Sequence, residues 1–295
     1  MQLVYGPDVP LEKPRTGHRE AGIFFRRLLQ GRSCARDNFE LSIARTEGFR
    51  SPRHRHNFDQ IRVGLSGQFG DGRKLYVGPG QIAYYPEGTY YEIDCGETEI
   101  LLLQFGGANG DGYPSLTDLY AAYEEMATLG TFRDGVFFRT QRDGLPAGQK
   151  KNMDGYEALW QHIFGRPVRY PKARYREPIF MEPGNYRWVA DPTQQGVRRK
   201  TIGVFTERVI TIAQAELAAG ATLGERAGHA VKFLFVHSGR AQSAAGTWRP
   251  CSVAKLERGE AHSVTAEETT LLTIITLPEF SDAELAAPVE EFAAS

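Results

Sequence analysis

The stretch that decides the fold is "SPRHRHNFDQIRVGLSGQF", Ser51 to Phe69. In an extended segment, side chains two positions apart point to the same face. His54, His56, Phe58, Gln60 and Arg62 therefore share one face, and Arg55, Asn57 and Asp59 share the other. Turned inward, the first face gathers two imidazoles, an amide and a guanidinium on one buried side. Turned outward, the same residues are ordinary members of a basic patch with Arg50, Arg53 and Arg55.

The surrounding composition narrows the choice. The 295 residues suffice for two domains, and 41% are hydrophobic, enough for sizeable cores. The 35 basic and 36 acidic residues balance, so nucleic acid and anionic membrane are not expected partners. No apolar run reaches transmembrane length, and "MQLVYGPDVPLEKPRTG" lacks a signal-peptide layout. Cys34, Cys95 and Cys251 are odd in number and far apart, which suits free thiols and a cytoplasmic location.

Along the chain, "GIFFRRLL", "FELSIART", "QIRVGLSG", "KLYVGPGQIAYYP" and "EILLLQFGG" read as short strands broken by glycine and proline turns. Between Gly106 and Pro171 helical spacing takes over. Ser115 and Gly130 bracket one predicted helix, and Asp154 and Gly165 bracket a second. β texture then returns in "TIGVFTERVITIAQAEL", "KFLFVHSGRAQ" and "TTLLTIITL".

The β texture occurs twice. Gly48, His54, His56, Gln60 and Gly67 fall, 172 positions later, on Gly220, Arg226, Gly228, Lys232 and Gly239. Pro86, Gly88 and Tyr91 fall, 171 positions later, on Glu257, Gly259 and His262. The framing glycines survive, which is the mark of a duplicated unit.

These residues resemble the cupin family. Its first motif reads here as Gly48, five residues, His54-Arg55-His56, three residues, Gln60, six residues and Gly67, with glutamine in the glutamate place. Its second reads as Gly80, five residues, Pro86-Glu87-Gly88, two residues and Tyr91, with tyrosine in the histidine place. The resemblance implies a mostly β bicupin, two jelly-roll-like barrels with a short helical connector, similar to uncharacterised bacterial cupin domain-containing proteins. The expected layout is an N-terminal barrel over 1–110, a helical connector over 111–175, a C-terminal barrel with a degenerate site over 176–280, and a tail over 281–295.

The resemblance places a mononuclear site in the first barrel, with His54, His56, Gln60 and Tyr91 as metal ligands. Two imidazoles suit a divalent transition metal: Fe, Mn, Ni, Cu or Zn. Tyr91 is the candidate acid or base, and Arg62 and Tyr85 are the candidate substrate contacts. The expected ligand is a small organic molecule, carboxylates included. Oxygenase, isomerase and lyase chemistry fit such a site, and a metal-free binding or sensory protein is the alternative. In the second barrel Arg226, Gly228 and Lys232 occupy the ligand places beside His262, so a structural role is expected there, with anion capture by Arg226, Lys232 and His262 as the second option. Pairing of barrels through sheet edges makes a homodimer the expected assembly.

Overall fold

The histidine-bearing stretch enters the fold as two strands, not one. In the computed structural model, which describes residues 1–14, 22–70, 75–109, 111–140 and 151–287, one strand ends at His54 and the next begins at Phe58. The chain divides into two compact units, Leu11–Phe180 and Met181–Ala287, the latter completed by Met1–Pro10.

Strand β1, Gln2–Tyr5, belongs to the second unit. The first unit begins with β2 (Ile23–Gln30), β3 (Phe39–Thr46), β4 (Phe49–His54), β5 (Phe58–Ser66), β6 (Phe69–Gly70), β7 (Tyr76–Val77), β8 (Ile82–Tyr85), β9 (Tyr91–Cys95) and β10 (Thr98–Gly106). There follow α1 (Leu116–Met126), β11 (Gly130–Arg133), β12 (Val136–Arg139), β13 (Asn152–Asp154), α2 (Gly155–Phe164) and β14 (Ile179–Met181). One sheet has the order β14-β8-β5-β10-β3-β2, and β4 pairs with β9 in a second. Phe49 and Ile93 from the small sheet pack with Ala83, Ile100 and Leu102 from the large one, so the two sheets close around a common interior.

The region between the barrels is less purely helical than expected. Ser115 caps α1 in a reciprocal capping box, but the helix stops at Met126, and Gly130 opens strand β11 instead of ending the helix. Strands β11, β12 and β13 form a sheet of their own. Asp154 caps α2 by accepting from the backbone N–H of Tyr156 and Glu157, and Gly165 ends it with φ +67°.

The second unit holds β15 (Val189–Ala190), β16 (Val197–Phe205), β17 (Ile210–Leu217), β18 (Thr222–Glu225), β19 (Lys232–Ser238), β20 (Ala241–Ser243), β21 (Gly246–Trp248), β22 (Ser252–Leu256), β23 (His262–Ala266), β24 (Thr270–Thr276) and α3 (Asp282–Ala286). Its large sheet runs β1-β22-β19-β24-β17-β16-β15. Six strands of this order correspond one by one to those of the first unit, with β1 in the place of β14. The sequence pattern predicts the first ten residues in the N-terminal barrel. They complete the C-terminal one, because Gln2–Tyr5 pairs in register with Ser252–Lys255. Residues 288–295 of the expected tail lie outside the described residues.

Turn geometry repeats with the strands. Gly67 and Gly239 have φ of +66° and +86°, and a Cβ at either would lie 2.3 Å from a carbonyl oxygen, of Glu97 and Thr269 respectively. The backbone N–H of Gly80 donates to Gly64 O at 2.9 Å, and that of Cys251, its counterpart, donates to Val236 O at 2.9 Å. Cys251 keeps the left-handed conformation of Gly80, with φ +69°, although it carries a side chain. Among the described residues, no helix is long and apolar enough to cross a membrane.

Candidate functional site

The first barrel encloses a cavity of about 460 Å³. His54, His56, Phe58, Gln60 and Arg62 all line it, so the alternation survives the break between β4 and β5. Antiparallel pairing sets Tyr91 opposite His54 and brings a third polar side chain to the same wall. The two imidazole centroids are 4.9 Å apart with planes at 83°, and the Tyr91 ring lies 4.5 Å from His54 and 5.9 Å from His56.

His54 Nδ1 lies 2.6 Å from the carbonyl oxygen of Pro52 and 3.3 Å from Ser51 Oγ. A carbonyl only accepts, so this contact assigns a proton to Nδ1, and in the neutral ring the lone pair then lies on Nε2. His56 is packed at 4.3 Å from Phe58 and edge-on at 5.2 Å from Tyr156. The Tyr156 hydroxyl donates to Asn57 Oδ1 at 3.0 Å, which ties α2 to the side chain next to His56 in sequence.

Gln60 has a different task from the metal ligand expected of it. Its Oε1 accepts from Arg62 Nη2 at 2.7 Å and from Arg62 Nε at 3.3 Å, while its Nε2 donates to the Tyr91 hydroxyl oxygen at 2.8 Å. The amide bridges Arg62 and Tyr91, and the oxygen that would bind a metal faces a cation. Accepting from Gln60 turns the Tyr91 O–H hydrogen toward other acceptors. Tyr85, expected on the cavity wall, lies behind Arg62 instead: its ring stacks 3.6 Å from the guanidinium carbon and is 1% exposed. It holds the guanidinium in place and is not among the lining residues.

Sequence reasoning missed the contribution of the connector. Tyr113, Leu116, Leu119, Tyr123 and Tyr156 form part of the cavity wall. The signal was present as the apolar spacing of α1, but the same spacing describes any core-facing helix. Periodicity reports which face is covered, not by what.

Asp59, on the opposite face of β5, joins a second buried group. Its Oδ1 accepts from the Tyr84 hydroxyl at 3.0 Å and the Glu87 backbone N–H at 2.7 Å. Glu87 Oε1 accepts from Arg174 at 2.6 Å and from Asn109 Nδ2 at 2.6 Å. Burial, then the charge of Glu87, push Asp59 up to about 8, and burial pushes Glu87 upward as well.

The basic patch divides. Arg53 lies over the Tyr90 ring at 4.1 Å and Arg55 over Tyr170 at 4.4 Å, so both are partnered on the surface side, and Arg50 is exposed. In the second barrel, Lys232 is engaged by Glu225 at 3.0 Å, Arg226 is exposed, and His262 stacks on Trp248 with planes at 5°. Trp248, Leu234, Val236, Leu256 and Val264 pack together in the interior of that barrel.

No family model matches the sequence, and no curated protein matches it. Solved structures do. A Nostoc punctiforme protein provisionally assigned as a dioxygenase superposes with a TM-score of 0.59 at 9% identity, over 95% of this chain and 86% of its own. Bacillus subtilis oxalate decarboxylase, described with Mn(II) centres, superposes with a TM-score of 0.51 at 15% identity, over 95% of this chain and 78% of its own. Both are two-barrel proteins, and the likeness spans both units described above. The fold is that of a bicupin. At these identities the likeness establishes the fold alone, and the chemistry must be argued from the chain's own residues.

Proposed function

We propose that this bicupin handles a small organic substrate in its N-terminal barrel, with a divalent transition metal held by His54 and His56. The observation that supports this most is the convergence of two imidazoles and a phenol on one cavity, with His54 Nδ1 beside a backbone carbonyl. Metal-bound histidines characteristically donate their second ring nitrogen to such an acceptor. The donors are neutral, which suits Fe, Mn, Ni, Cu or Zn and not the hard, carboxylate-seeking Mg or Ca. When bound, the metal supplies Lewis acidity and open positions for substrate oxygens, the basis of oxygenase, isomerase and lyase chemistry.

The chain's own residues supply the remainder. Tyr91 holds the proton best placed for transfer, since its oxygen accepts from Gln60 and its O–H points elsewhere. Gln60 positions Tyr91, and the apolar wall limits water. A second reading, a metal-free binder of organic anions, is favoured by one observation. The described residues contain no group of three His, Cys, Asp or Glu side chains able to hold a metal, and Arg62 puts a cation into the cavity.

Metal analysis of the purified protein beside a His54→Ala/His56→Ala variant tests the first reading, with oxygen uptake recorded over a panel of small acids and phenols. Near-stoichiometric metal in the parent and its loss in the variant are expected. Equal, negligible metal in both proteins would leave the second reading in place.

A further inference from the structure

Arg62 is the most unusual charge in the molecule. It is 2% exposed, makes no ion pair among the described residues, and its Nη1 has no hydrogen-bond partner among them. Its surroundings are the rings of Tyr85, Phe69 and Tyr91 and the neutral amide of Gln60. A guanidinium is a permanent cation, and burying one without an anion is strongly unfavourable. The fold retains that cost at a position lining the cavity. The other cation on the wall, Lys13, is exposed to solvent and carries no comparable penalty.

We propose that Arg62 is the seat of a single ligand carboxylate, and that the substrate class is a monocarboxylic acid with an extended apolar body. This rests on the reading that the N-terminal cavity is the ligand site, and it does not require the metal. The planar fork of an arginine matches a carboxylate in two parallel hydrogen bonds. Gln60 accepts from Nε and Nη2, which leaves Nη1, itself buried and without a hydrogen-bond partner among the described residues, and the second hydrogen of Nη2 as the uncommitted donors. One buried cation matches one anionic group. Away from Arg62, Gln60, Tyr91 and the two histidines, most of the wall is apolar, with Phe25, Phe49, Ile93, Ile100 and Leu102 and the aromatic face of the connector, and Lys13, Ser51 and Gln104 are its other polar members. An apolar body fits that stretch better than a second buried carboxylate. At about 460 Å³ the cavity falls in the range of roughly 300–1,000 Å³ that accepts drug-sized ligands, far larger than oxalate needs.

Titration calorimetry of the full-length protein, after chelation and again after Mn(II) addition, uses 3-phenylpropanoate, 3-phenylpropanamide and oxalate as probes. The acid should bind at least tenfold more tightly than the amide or oxalate in the chelated protein. Arg62→Met should abolish the preference for acid over amide. Gln60→Glu, which lays an internal carboxylate beside the guanidinium at nearly constant volume, should weaken the acid at least tenfold, with folding checked by thermal melting. The proposal is overturned if acid and amide bind alike, if no acid binding is measurable, or if oxalate binds better. Acid affinity undiminished by Gln60→Glu also overturns it, and this variant decides the matter if Arg62→Met does not fold. Acid binding that needs Mn(II) and ignores both substitutions would place the carboxylate on the metal, ending this proposal and leaving the metal reading intact. Arg62-dependent acid binding in a protein that retains no metal would do the reverse.

Discussion

A single amide links the polar side chains of the first barrel's cavity. Gln60 satisfies the buried Arg62 on one side and orients Tyr91 on the other. A glutamate here would pair with Arg62 and cancel its charge. Gln60→Ala should therefore cost about 1–3 kcal/mol in denaturant unfolding, because it strands two donors of a buried cation. Across the same strand, Asp59 makes a different prediction. Its folded-state value, about 8, lies above that of a carboxyl in an unfolded chain, so the native state binds the extra proton between about pH 4 and pH 8. Stability then falls as pH rises through that window and levels off above it. Unfolding free energies measured from pH 4 to pH 9 should show this slope in the parent and a flatter one in Asp59→Asn. An unchanged slope would mean that Asp59 is ionised in the fold at neutral pH.

At the scale of elements, the connector is a wall of the site. Helix α2 carries Tyr156 to the cavity, and Asp154 starts the helix by accepting two backbone N–H groups, at 2.9 Å and 3.1 Å. Asp154→Ala should destabilise the protein by about 1 kcal/mol, within the usual range for a lost cap. Ser115 and Asp154 were legible as caps because their bonds are local. The end of α1 was not, because Gly130 is recruited by strand pairing with Arg139, a residue nine positions on. The edges of the large sheets follow the same logic. Strand β1 covers the outer edge of β22. Deleting residues 2–5 should expose that edge, lower the melting temperature of the second barrel and promote aggregation, measurable by light scattering on heating.

At the scale of the whole molecule, one ancestral plan has two outcomes. The strand orders and paired turns agree between the barrels, yet one lines a cavity with polar side chains and the other packs Trp248 and its apolar neighbours together. Trp248 is fully buried in the second interior. Trp248→Ala should cost about 3–5 kcal/mol, the usual penalty for emptying such a volume, and the calorimetric transition of the second barrel should show it.

The sequence by itself determined the plan: two barrels, two capped helices, and the shared face of His54, His56, Gln60 and Arg62. These features follow from local rules, namely strand alternation, backbone capping and glycines where a Cβ has no room. Tertiary structure alone decided the rest. It gave Gln60 Oε1 to Arg62, placed Tyr85 behind the guanidinium, passed β1 to the second barrel, and made α1 and α2 part of the cavity wall. Each is a contact between residues distant in the chain or a choice between hydrogen-bond partners. Spacing in the sequence carries no information about which of two nearby acceptors a buried donor will reach.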